Sequence, residues 1–419
     1  MLSLVTFLAL LALGLPIAFA MIAGAVLQIV AGGNGVLLLS LPQQLFQGME
    51  SDRLLALPIF SLLGELMNMS GAGRRLFALA GLATGGLRGG LAQAVLLANA
   101  LMAAVLGSTV AQITLMSRLA VPEMERAGYA RDAAAALTAA GGLLAPVIPP
   151  SMLLIVYGVI AQVPIGDLFL AGIGPGIALL IALCGVTYLR FRHHVASPRV
   201  PVGPTLVAAL PALAIPAAMI AAILVGIATA PEAGVIAILA VLIVGSLVYR
   251  EMTPAALWPA LIATARNAAS ILLLIAAASL YAWVAAWENL PAMVADRLAA
   301  VSDDPVIFLL LLNLLLLALG MVLDPLPALI LVVPVLLPVA TDSYGIDPVH
   351  FGMIASLNLT IGLLTPPVGV GLYTAAMQTG VPAGHLSGLL LPYLGGALVV
   401  LAILTFVPGL ALGPLTLLQ

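Results

Sequence analysis

Hydrophobic residues occur along this chain in long, continuous runs that are separated by short polar turns. The longest runs are Leu2–Val30, Leu168–Leu189, Leu206–Thr229 and Leu386–Val407. A membrane-spanning α-helix needs about 20 consecutive apolar residues, whereas a strand of a membrane barrel shows roughly ten residues of alternating polarity. The runs therefore predict an all-α polytopic membrane protein.

Composition supports this prediction, because 63% of the residues are hydrophobic, only 7% are charged and the mean hydropathy is +1.27. Soluble domains carry about 25% charged residues. The first apolar run has no basic residues before it and continues beyond Ala20. We therefore expect Met1–Ala20 to be a retained first helix and not a cleaved signal peptide.

All thirteen basic residues are arginines, and their largest cluster lies in the polar segment 190–204, here called the central linker. It contains Arg190, Arg192 and Arg199 together with two histidines. The positive-inside rule places this linker in the cytoplasm of a multi-pass inner-membrane protein. A net charge of −3 on scattered loops offers no basic face for nucleic acid, and the one cysteine excludes a disulfide framework.

The sequences on either side of the linker share a pattern of glycines and prolines. Gly128 precedes the pair Pro149-Pro150 by 21 residues, and Gly345 precedes the pair Pro366-Pro367 by the same 21 residues. A single shift of 217 residues superimposes both glycines and both pairs. The sequence therefore predicts two structural repeats.

The predicted boundaries are residues 1–189 for the first repeat, 190–204 for the linker and 205–419 for the second repeat. If each repeat crosses the membrane an odd number of times, the two copies are inverted, an arrangement found in many transporters. The turns at Gly128 and Gly345 are then expected on opposite sides of the membrane.

Each proline pair removes two consecutive N–H donors and disfavours helical geometry at the residue before it. Neither Ala133–Gly158 nor Val349–Thr374 can then be one unbroken helix, so each is predicted to be two half-helices. Carbonyl groups at such a break suit a cation, and the N–H groups that open the second half suit an anion. The alternative is a proline kink packed against hydroxyl groups without a ligand. Two breaks in equivalent places favour a site.

Two pairs of shorter apolar segments are predicted to form re-entrant hairpins. The segments are Leu91–Leu106 with Val110–Val121, joined by Gly107-Ser108-Thr109, and Phe308–Leu319 with Leu329–Val339, joined by residues 320–325. Each segment is short for a complete crossing. The glycines permit tight turns, and Ser108 and Thr109 offer uncharged hydroxyl oxygens at the tip.

Asp324 has two interpretations, which the sequence leaves open. A carboxylate at membrane depth is a functional candidate by default. Asp324-Pro325 is also a helix N-cap followed by proline at the first helical position, and Thr365-Pro366 has the same form. We therefore consider capping alone and capping combined with proximity to an ion.

Several motifs together resemble one family, the large membrane subunit of TRAP transporters, the tripartite ATP-independent periplasmic importers (DctM-like). The motifs are Leu-Ala-Leu-Pro-Ile-Phe-Ser-Leu-Leu-Gly-Glu-Leu-Met at 55–67, Arg-Gly-Gly-Leu-Ala at 88–92, Gly-Ser-Thr-Val-Ala at 107–111, Pro-Glu-Met-Glu-Arg-Ala-Gly-Tyr at 122–129, Pro-Val-Ile-Pro-Pro-Ser at 146–151, Gly-Ile-Asp-Pro-Val-His-Phe-Gly at 345–352 and Ile-Gly-Leu-Leu-Thr-Pro-Pro-Val-Gly at 361–369. The resemblance extends from about residue 5 to residue 410.

The resemblance implies an elevator-type transport domain, formed by the hairpins and broken helices, that moves against a scaffold. It also implies coupling to sodium, a small four-helix DctQ-like subunit, a periplasmic DctP-like binding protein and contact with membrane lipid. The cargo would be a small organic acid such as a C4-dicarboxylate or sialic acid. No cofactor is implied beyond sodium as the coupling ion.

The resemblance also implies site residues. The sodium sites would involve Gly107, Ser108, Thr109, Ala145, Ile148 and Pro150 in the first repeat and Gly320, Asp324, Gly362, Thr365 and Pro367 in the second. The substrate contacts would be Pro149, Ser151, Pro366 and Gly369. The chain departs from the family pattern at Ala145, commonly glycine, and at Gln112, where a smaller polar or acidic residue is frequent. Ion contacts made through backbone carbonyl groups are expected to tolerate alanine at position 145.

The chain lacks the sequence motifs of other classes of function. The chain has no His-Glu-x-x-His zinc motif or other catalytic set, so an enzyme is not expected, and no P-loop, so transport must draw on an ion gradient. A stand-alone sodium/dicarboxylate symporter of related fold is the main alternative. No arginine is predicted at mid-membrane, so half-helix N-termini, hydroxyl groups and sodium are expected to hold a carboxylate.

Overall fold

The computed structural model describes residues 2–194, 201–300 and 302–418, and the described chain is built from α-helices without a β-strand. The helices are α1 Leu2–Ala12, α2 Ile17–Ala31, α3 Leu41–Gln47, α4 Ala56–Met69, α5 Ala72–Thr84, α6 Gly90–Leu106, α7 Thr109–Arg126, α8 Arg131–Gly141, α9 Met152–Ile160, α10 Ile165–Phe191, α11 Val202–Leu224, α12 Ala230–Ile243, α13 Pro254–Trp287, α14 Leu290–Ala299, α15 Pro305–Val322, α16 Pro325–Pro338, α17 Pro348–Leu363, α18 Val370–Thr379, α19 Ala383–Phe406 and α20 Gly409–Leu418. Of the central linker, residues 195–200, including Arg199, lie outside the described residues.

Seven helices in the described residues are long and apolar enough to cross a membrane, or up to eight if a bent pair is counted as one span. The bent pair joins Asp52–Met69 to Ala72–Thr84 at an angle of 71°. The bend lies at Gly71, whose φ of +76° ends the preceding helix. These helices confirm the predicted all-α polytopic membrane fold.

The prediction of one helix through Met1–Ala20 is wrong. The structure forms α1 and α2 instead, with a break between Ala12 and Ile17. Gly14 adopts a φ of +85°, and Pro16 lies directly before α2 and cannot donate its N–H to a continuing helix. The two helices pack against each other.

The predicted breaks lie at the two proline pairs. In the first half, α8 ends at Gly141, a 3₁₀ turn covers Gly142–Leu144, and α9 begins at Met152. In the second half, α17 ends at Leu363 and α18 begins at Val370. The first member of each broken helix forms the centre of the molecule, because every residue of α17 from His350 to Leu363 is buried.

The hairpin arms are longer than predicted. Helix α7 continues through Pro122 to Arg126, and α15 begins at Pro305 because the Asp304 carboxylate accepts a hydrogen bond from the N–H of Val306 at 2.8 Å. Helices α15 and α16, the latter with its π-helical end, are each long enough to span a membrane. The prediction that all arms are too short is therefore wrong for the second hairpin.

The hairpins and broken helices form one interlocked body. Helix α6 packs on α7 and α8, and α15 packs on α17. The halves also exchange contacts, since α18 packs against α7 and α9 packs against α16. Helices α4 and α13 pack against each other, and they also pack against this body, α4 on α6 and α9 and α13 on α16.

The turns at Gly128 and Gly345 lie at opposite ends of α19. Asp132, which follows the first turn, contacts Nε2 of His385 at 2.8 Å near the start of α19. His350, which follows the second turn, contacts the carbonyl oxygen of Leu404 at 2.7 Å near its end. The two contact points on α19 are 19 residues apart, which corresponds to about 28 Å of helix.

Candidate functional site

The tip of the first hairpin lies directly against the first helix break. The carbonyl oxygen of Gly107 accepts a hydrogen bond from the N–H of Met152 at 3.3 Å. Gly107 has a φ of +60°, and a Cβ atom there would lie 3.0 Å from the carbonyl oxygen of Pro150. Glycine is therefore required at this tip by both its backbone conformation and the close approach of the break.

The second hairpin meets the second break in the same manner. The N–H of Gly369 donates to the carbonyl oxygen of Met321 at 2.9 Å. A Cβ atom on Gly362 would lie 2.6 Å from Cα of Gly320, so the two backbones touch. The structure thus brings the predicted tip glycines, Gly107 and Gly320, against their predicted breaks.

The hydroxyl groups of the first site differ in their surroundings. Ser108 is exposed at the N-cap of α7 and makes no capping hydrogen bond, whereas Thr109 is 6% exposed at the first helical position. Ala145 is fully buried, and Ile148 is partly buried behind the break. The Ser151 hydroxyl donates to the carbonyl oxygen of Pro146 at 2.8 Å and caps α9 through the N–H of Leu154.

The second site confirms one predicted cap and corrects the other. Asp324 is the N-cap of α16, and its carboxylate accepts from the N–H of Leu326 at 3.2 Å. Thr365 does not cap α18, because Gly369 is its N-cap with a φ of +52°. The Thr365 hydroxyl instead donates back to the carbonyl oxygen of Ile361 at 2.7 Å, which leaves its oxygen lone pairs free to accept or to coordinate.

A cavity of about 410 Å³ opens between the two hairpin tips and helices α4 and α13. Gly107, Ser108, Thr109 and Asp324 line it on the side of the tips. The four residues predicted to contact substrate, Pro149, Ser151, Pro366 and Gly369, are not part of its described lining. The tips and the flanking residues Pro146, Met152 and Leu363 of the breaks face this cavity, whereas the proline pairs do not line it.

The opposite wall carries polar groups that sequence reasoning missed or gave little weight. They are Ser61, Glu65 and Asn68 on α4 and Asn267 and Ser270 on α13. A spacing of three to four residues places each set on one face of its helix. This spacing is hard to recognise in the sequence because the surrounding residues are apolar. The described lining contains two carboxylates, amides and hydroxyls but neither arginine nor histidine. In the described residues, no three His, Cys, Asp or Glu side chains cluster as a metal site.

Buried amides tie the first hairpin to its broken helix. The Gln112 side-chain N–H groups donate to the carbonyl oxygen of Asn99 at 2.9 Å, to its Oδ1 at 3.0 Å and to the carbonyl oxygen of Gly141 at 3.1 Å. These bonds join α6, α7 and α8. The absence of a side chain at Gly141 leaves space for Asn99, because a Cβ atom there would lie 2.4 Å from Cγ of Asn99.

In the second half, a different residue forms the amide bridge between the hairpin and its broken helix. The Asn358 amide on α17 donates to the carbonyl oxygen of Asn313 on α15 at 2.9 Å and to its Oδ1 at 2.7 Å. The 217-residue shift relates Asn358 to Gly141, so the bridging amide comes from the broken helix in one half and from the hairpin arm in the other. The first bridge is buried and the second is partly buried.

Comparisons with known proteins agree with this architecture. Residues 4–410 match the family described as "DctM: Tripartite ATP-independent periplasmic transporter, DctM component". In fold, the chain is similar to the YdaH transporter of Alcanivorax borkumensis, with a TM-score of 0.67 and 16% identity over 91% of this chain and 90% of that one.

Curated relatives carry consistent names. The sialic acid TRAP transporter large permease protein SiaM of Vibrio cholerae is 36% identical, covering 97% of this chain and 96% of the relative. The 2,3-diketo-L-gulonate TRAP transporter large permease protein YiaN of Escherichia coli is 34% identical, covering 96% of each. The C4-dicarboxylate TRAP transporter large permease protein DctM of Pseudomonas aeruginosa is 35% identical, covering 89% of this chain and 88% of the relative.

These names confirm that the chain is a transport protein and not an enzyme, and the apolar spans agree with a multi-pass inner-membrane location. Large permeases of this kind work with a small membrane subunit and a periplasmic binding protein. The chain belongs to the DctM family, the large permease component of the tripartite ATP-independent periplasmic transporters.

Proposed function

We propose that this permease imports a small organic acid together with sodium, by an elevator movement of the interlocked body of hairpins and broken helices against α4 and α13. The observation that carries the proposal is the pairing of a hairpin tip with a helix break in both halves, on one side of a polar cavity. The acid is delivered by the periplasmic binding protein.

Sodium coupling is supported by the chemistry at the tips. Helix ends and breaks leave carbonyl oxygens without intrahelical partners, and buried carbonyls of this kind coordinate Na⁺ in other transporters. Thr109, Asp324 and Thr365 add side-chain oxygens beside these breaks. Oxygen ligands are those that hard cations prefer, so the residues present fit a sodium ion.

An organic acid is supported by the polarity of the cavity. The relatives transport sialic acid, 2,3-diketo-L-gulonate and C4-dicarboxylates, by their names, and all three are carboxylates. Helices α7 and α16 begin at the tips, where their N-termini carry partial positive charge that favours a carboxylate. With no described arginine in the lining, these termini and the coupling ions supply the compensating charge.

An elevator movement is supported by the packing of the hairpins and broken helices on one another. The hairpins and broken helices contact each other across both halves, so they can move as a unit. The turns at opposite ends of α19 agree with inverted repeats, in which one site opens alternately to either side. We expect the cavity side of α4 and α13 to stay fixed during this movement.

Uptake in proteoliposomes tests the coupling. We expect transport of a labelled acid to require an inward sodium gradient and the cognate binding protein together, and to be unaffected by ATP. Undiminished uptake with choline in place of sodium would refute the coupling.

Omission of the other components tests the alternative. If liposomes that contain only this chain transport the acid as fast as the complete system, the protein acts as a stand-alone sodium/dicarboxylate-type symporter. If transport needs the binding protein and the small subunit, the three-component mechanism is supported.

A further inference from the structure

A basic groove lies between α5 and α11, away from the central cavity. It has a volume of about 390 Å³ and is lined by Arg74, Arg75 and Ala78 of α5, by Pro204, Thr205 and Ala208 of α11, and by Glu251. Helix α11 begins at Val202, within the last residues of the segment predicted as the central linker. The groove therefore opens on the side of the protein that the positive-inside rule places in the cytoplasm.

Arg75 is held firmly in this groove. Its guanidinium carbon lies 3.6 Å from the centre of the Tyr249 ring, and Nη1 donates to the carbonyl oxygen of Gly71 at 2.9 Å. Nη1 also lies 2.8 Å from the Glu251 carboxylate. Its orientation is thus set by three contacts, and the cation–π contact keeps its charge in the groove.

Arg74 has fewer contacts and more freedom. It pairs with the same Glu251 carboxylate, but its side chain remains 66% exposed, compared with 26% for Glu251. Two guanidinium groups thus share one carboxylate, and the groove retains a net positive charge. Several of the Arg74 N–H groups remain available to an anion.

The start of α11 adds a hydroxyl donor and the partial positive charge of a helix N-terminus. The first turn of a helix has N–H groups without intrahelical partners and a partial positive charge. Thr205 contributes a hydroxyl group from this turn to the groove. Arginine forks and helix N-termini both match the geometry of phosphate oxygens.

The surface beside the groove is apolar and open. Val207 is 74% exposed and Leu210 is 58% exposed, one to two turns along α11 from Pro204. An anion with a long hydrocarbon tail would place its head in the groove and its tail along these side chains. Basic pockets between membrane helices on the cytoplasmic side are suited to anionic lipid headgroups.

We propose that the groove between α5 and α11 binds the phosphate group of an anionic phospholipid, with Arg74, Arg75 and the Thr205 hydroxyl as its donors. The lipid would join α5 to α11 at the membrane surface. This proposal is independent of sodium coupling and of the transported acid.

Native mass spectrometry of the purified full chain in detergent tests the proposal. Phosphatidylglycerol, phosphatidylcholine with the same acyl chains, and inorganic phosphate are added separately and in competition. We expect retention of one phosphatidylglycerol in preference to phosphatidylcholine, because choline would bring a positive charge towards the arginines. Equal retention of the two lipids would overturn the proposal, and displacement of phosphatidylglycerol by millimolar phosphate would overturn the lipid assignment.

A substitution locates the site. Arg74→Gln removes the exposed charge and should weaken phosphatidylglycerol binding by about fivefold or more. The matched control is Arg126→Gln, since Arg126 is 72% exposed and also pairs with one carboxylate, that of Glu123. Thr205→Val is a second, smaller change that should weaken binding in the same direction. Unchanged binding in Arg74→Gln would contradict the assignment, and the comparison of lipids on the unaltered protein does not depend on any variant folding.

Discussion

Two residues of the second site, one at the hairpin tip and one at the helix break, illustrate how one local sequence pattern can serve different purposes. Asp324-Pro325 and Thr365-Pro366 look alike, yet Asp324 caps α16 while Thr365 bonds back to Ile361 at the end of α17. Gly369 takes the capping position of α18 because it adopts a left-handed conformation that threonine rarely accepts. The Thr365 hydroxyl oxygen therefore stays available at the break.

Removal of the hydroxyl groups should weaken sodium binding. In Thr109→Val and Thr365→Val, each lost oxygen costs on the order of 1–3 kcal/mol if nothing replaces it, or about five- to more than a hundredfold in apparent affinity. We expect the sodium concentration for half-maximal uptake to rise accordingly. Titration of uptake against sodium measures this.

Thr374→Val is the matched control. Its hydroxyl donates back to the carbonyl oxygen of Val370 at 2.8 Å, the same type of bond as in Thr365, but it lies beyond the break on α18. It should retain normal sodium dependence. If both site variants also retain it while expression and folding are intact, the hydroxyls are not ligands.

Gly362→Ala should disrupt the second site. In an exposed helix such a change usually stabilises by about 0.5–1 kcal/mol, because alanine is the better helix former. At Gly362 the added Cβ would lie 2.6 Å from the backbone of Gly320, which cannot rotate away. We expect a lower unfolding temperature and loss of sodium-dependent stabilisation in a thermal unfolding assay.

Gly388→Ala provides the comparison. Gly388 lies in α19, and nothing is found within 4 Å of an added Cβ atom. Its thermal unfolding should be unchanged or slightly improved. Equal behaviour of the two variants would mean that the close approach of tip and break contributes nothing to stability.

At the level of elements, the hairpins are held to the broken helices by buried amides and not by apolar contacts alone. The Gln112 amide joins the hairpin to the broken helix in the first half, and the Asn358 amide does so in the second. The 217-residue repeat places these two side chains at different positions of the sequence, so a comparison of the halves does not reveal that they are equivalent. Their equivalence depends on which helices meet in three dimensions.

Replacement of Gln112 by leucine should loosen the first hairpin. The change leaves the carbonyl oxygens of Asn99 and Gly141 buried without these donors, which costs about 1–3 kcal/mol or more. We expect a clearly lower unfolding temperature of the purified protein. Gln93→Leu, which loses one bond of 2.9 Å to the carbonyl oxygen of Cys184 in a partly buried position, should have a smaller effect. An equal loss in both variants would argue against a special role for the Gln112 bridge.

At the scale of the whole molecule, polar contacts hold the Gly128 turn against the start of the central linker and the end of α18. The Tyr129 ring stacks on His194 with 4.4 Å between ring centres, and Arg131 donates to the carbonyl oxygen of Thr379 at 2.7 Å. These contacts place the Gly128 turn beside the described start of the central linker. The Gly345 turn lies near the far end of α19.

Chemical labelling tests this arrangement. Cysteines introduced at Ala127 and Ser343, both exposed, in a Cys184→Ala background should react with a membrane-impermeant thiol reagent from opposite faces of the membrane. We expect Ala127→Cys to label from the cytoplasmic face. Labelling of both positions from one face would contradict the inverted arrangement of the repeats.

The sequence by itself determined the features that depend on local covalent constraints. Proline pairs without N–H donors require breaks near 149 and 366, an aspartate before a proline marks the start of α16, and continuous apolar runs require membrane helices. The sequence did not determine where the helices begin and end, because Pro122 is tolerated inside α7 while Gly14 and Pro16 divide the first apolar run. A local pattern cannot reveal whether packing compensates for a lost hydrogen bond.

Only the tertiary structure decided which residues face one another. The cavity joins Glu65 and Asn267 to Asp324, and the basic groove joins Arg74 to Thr205 and Glu251, across separations of more than 50 residues in sequence. In a chain with so many apolar helices, many pairings would bury similar hydrophobic surface. The choice among them depends on close glycine contacts and buried amide bonds between distant helices, and these have no signature in the local sequence.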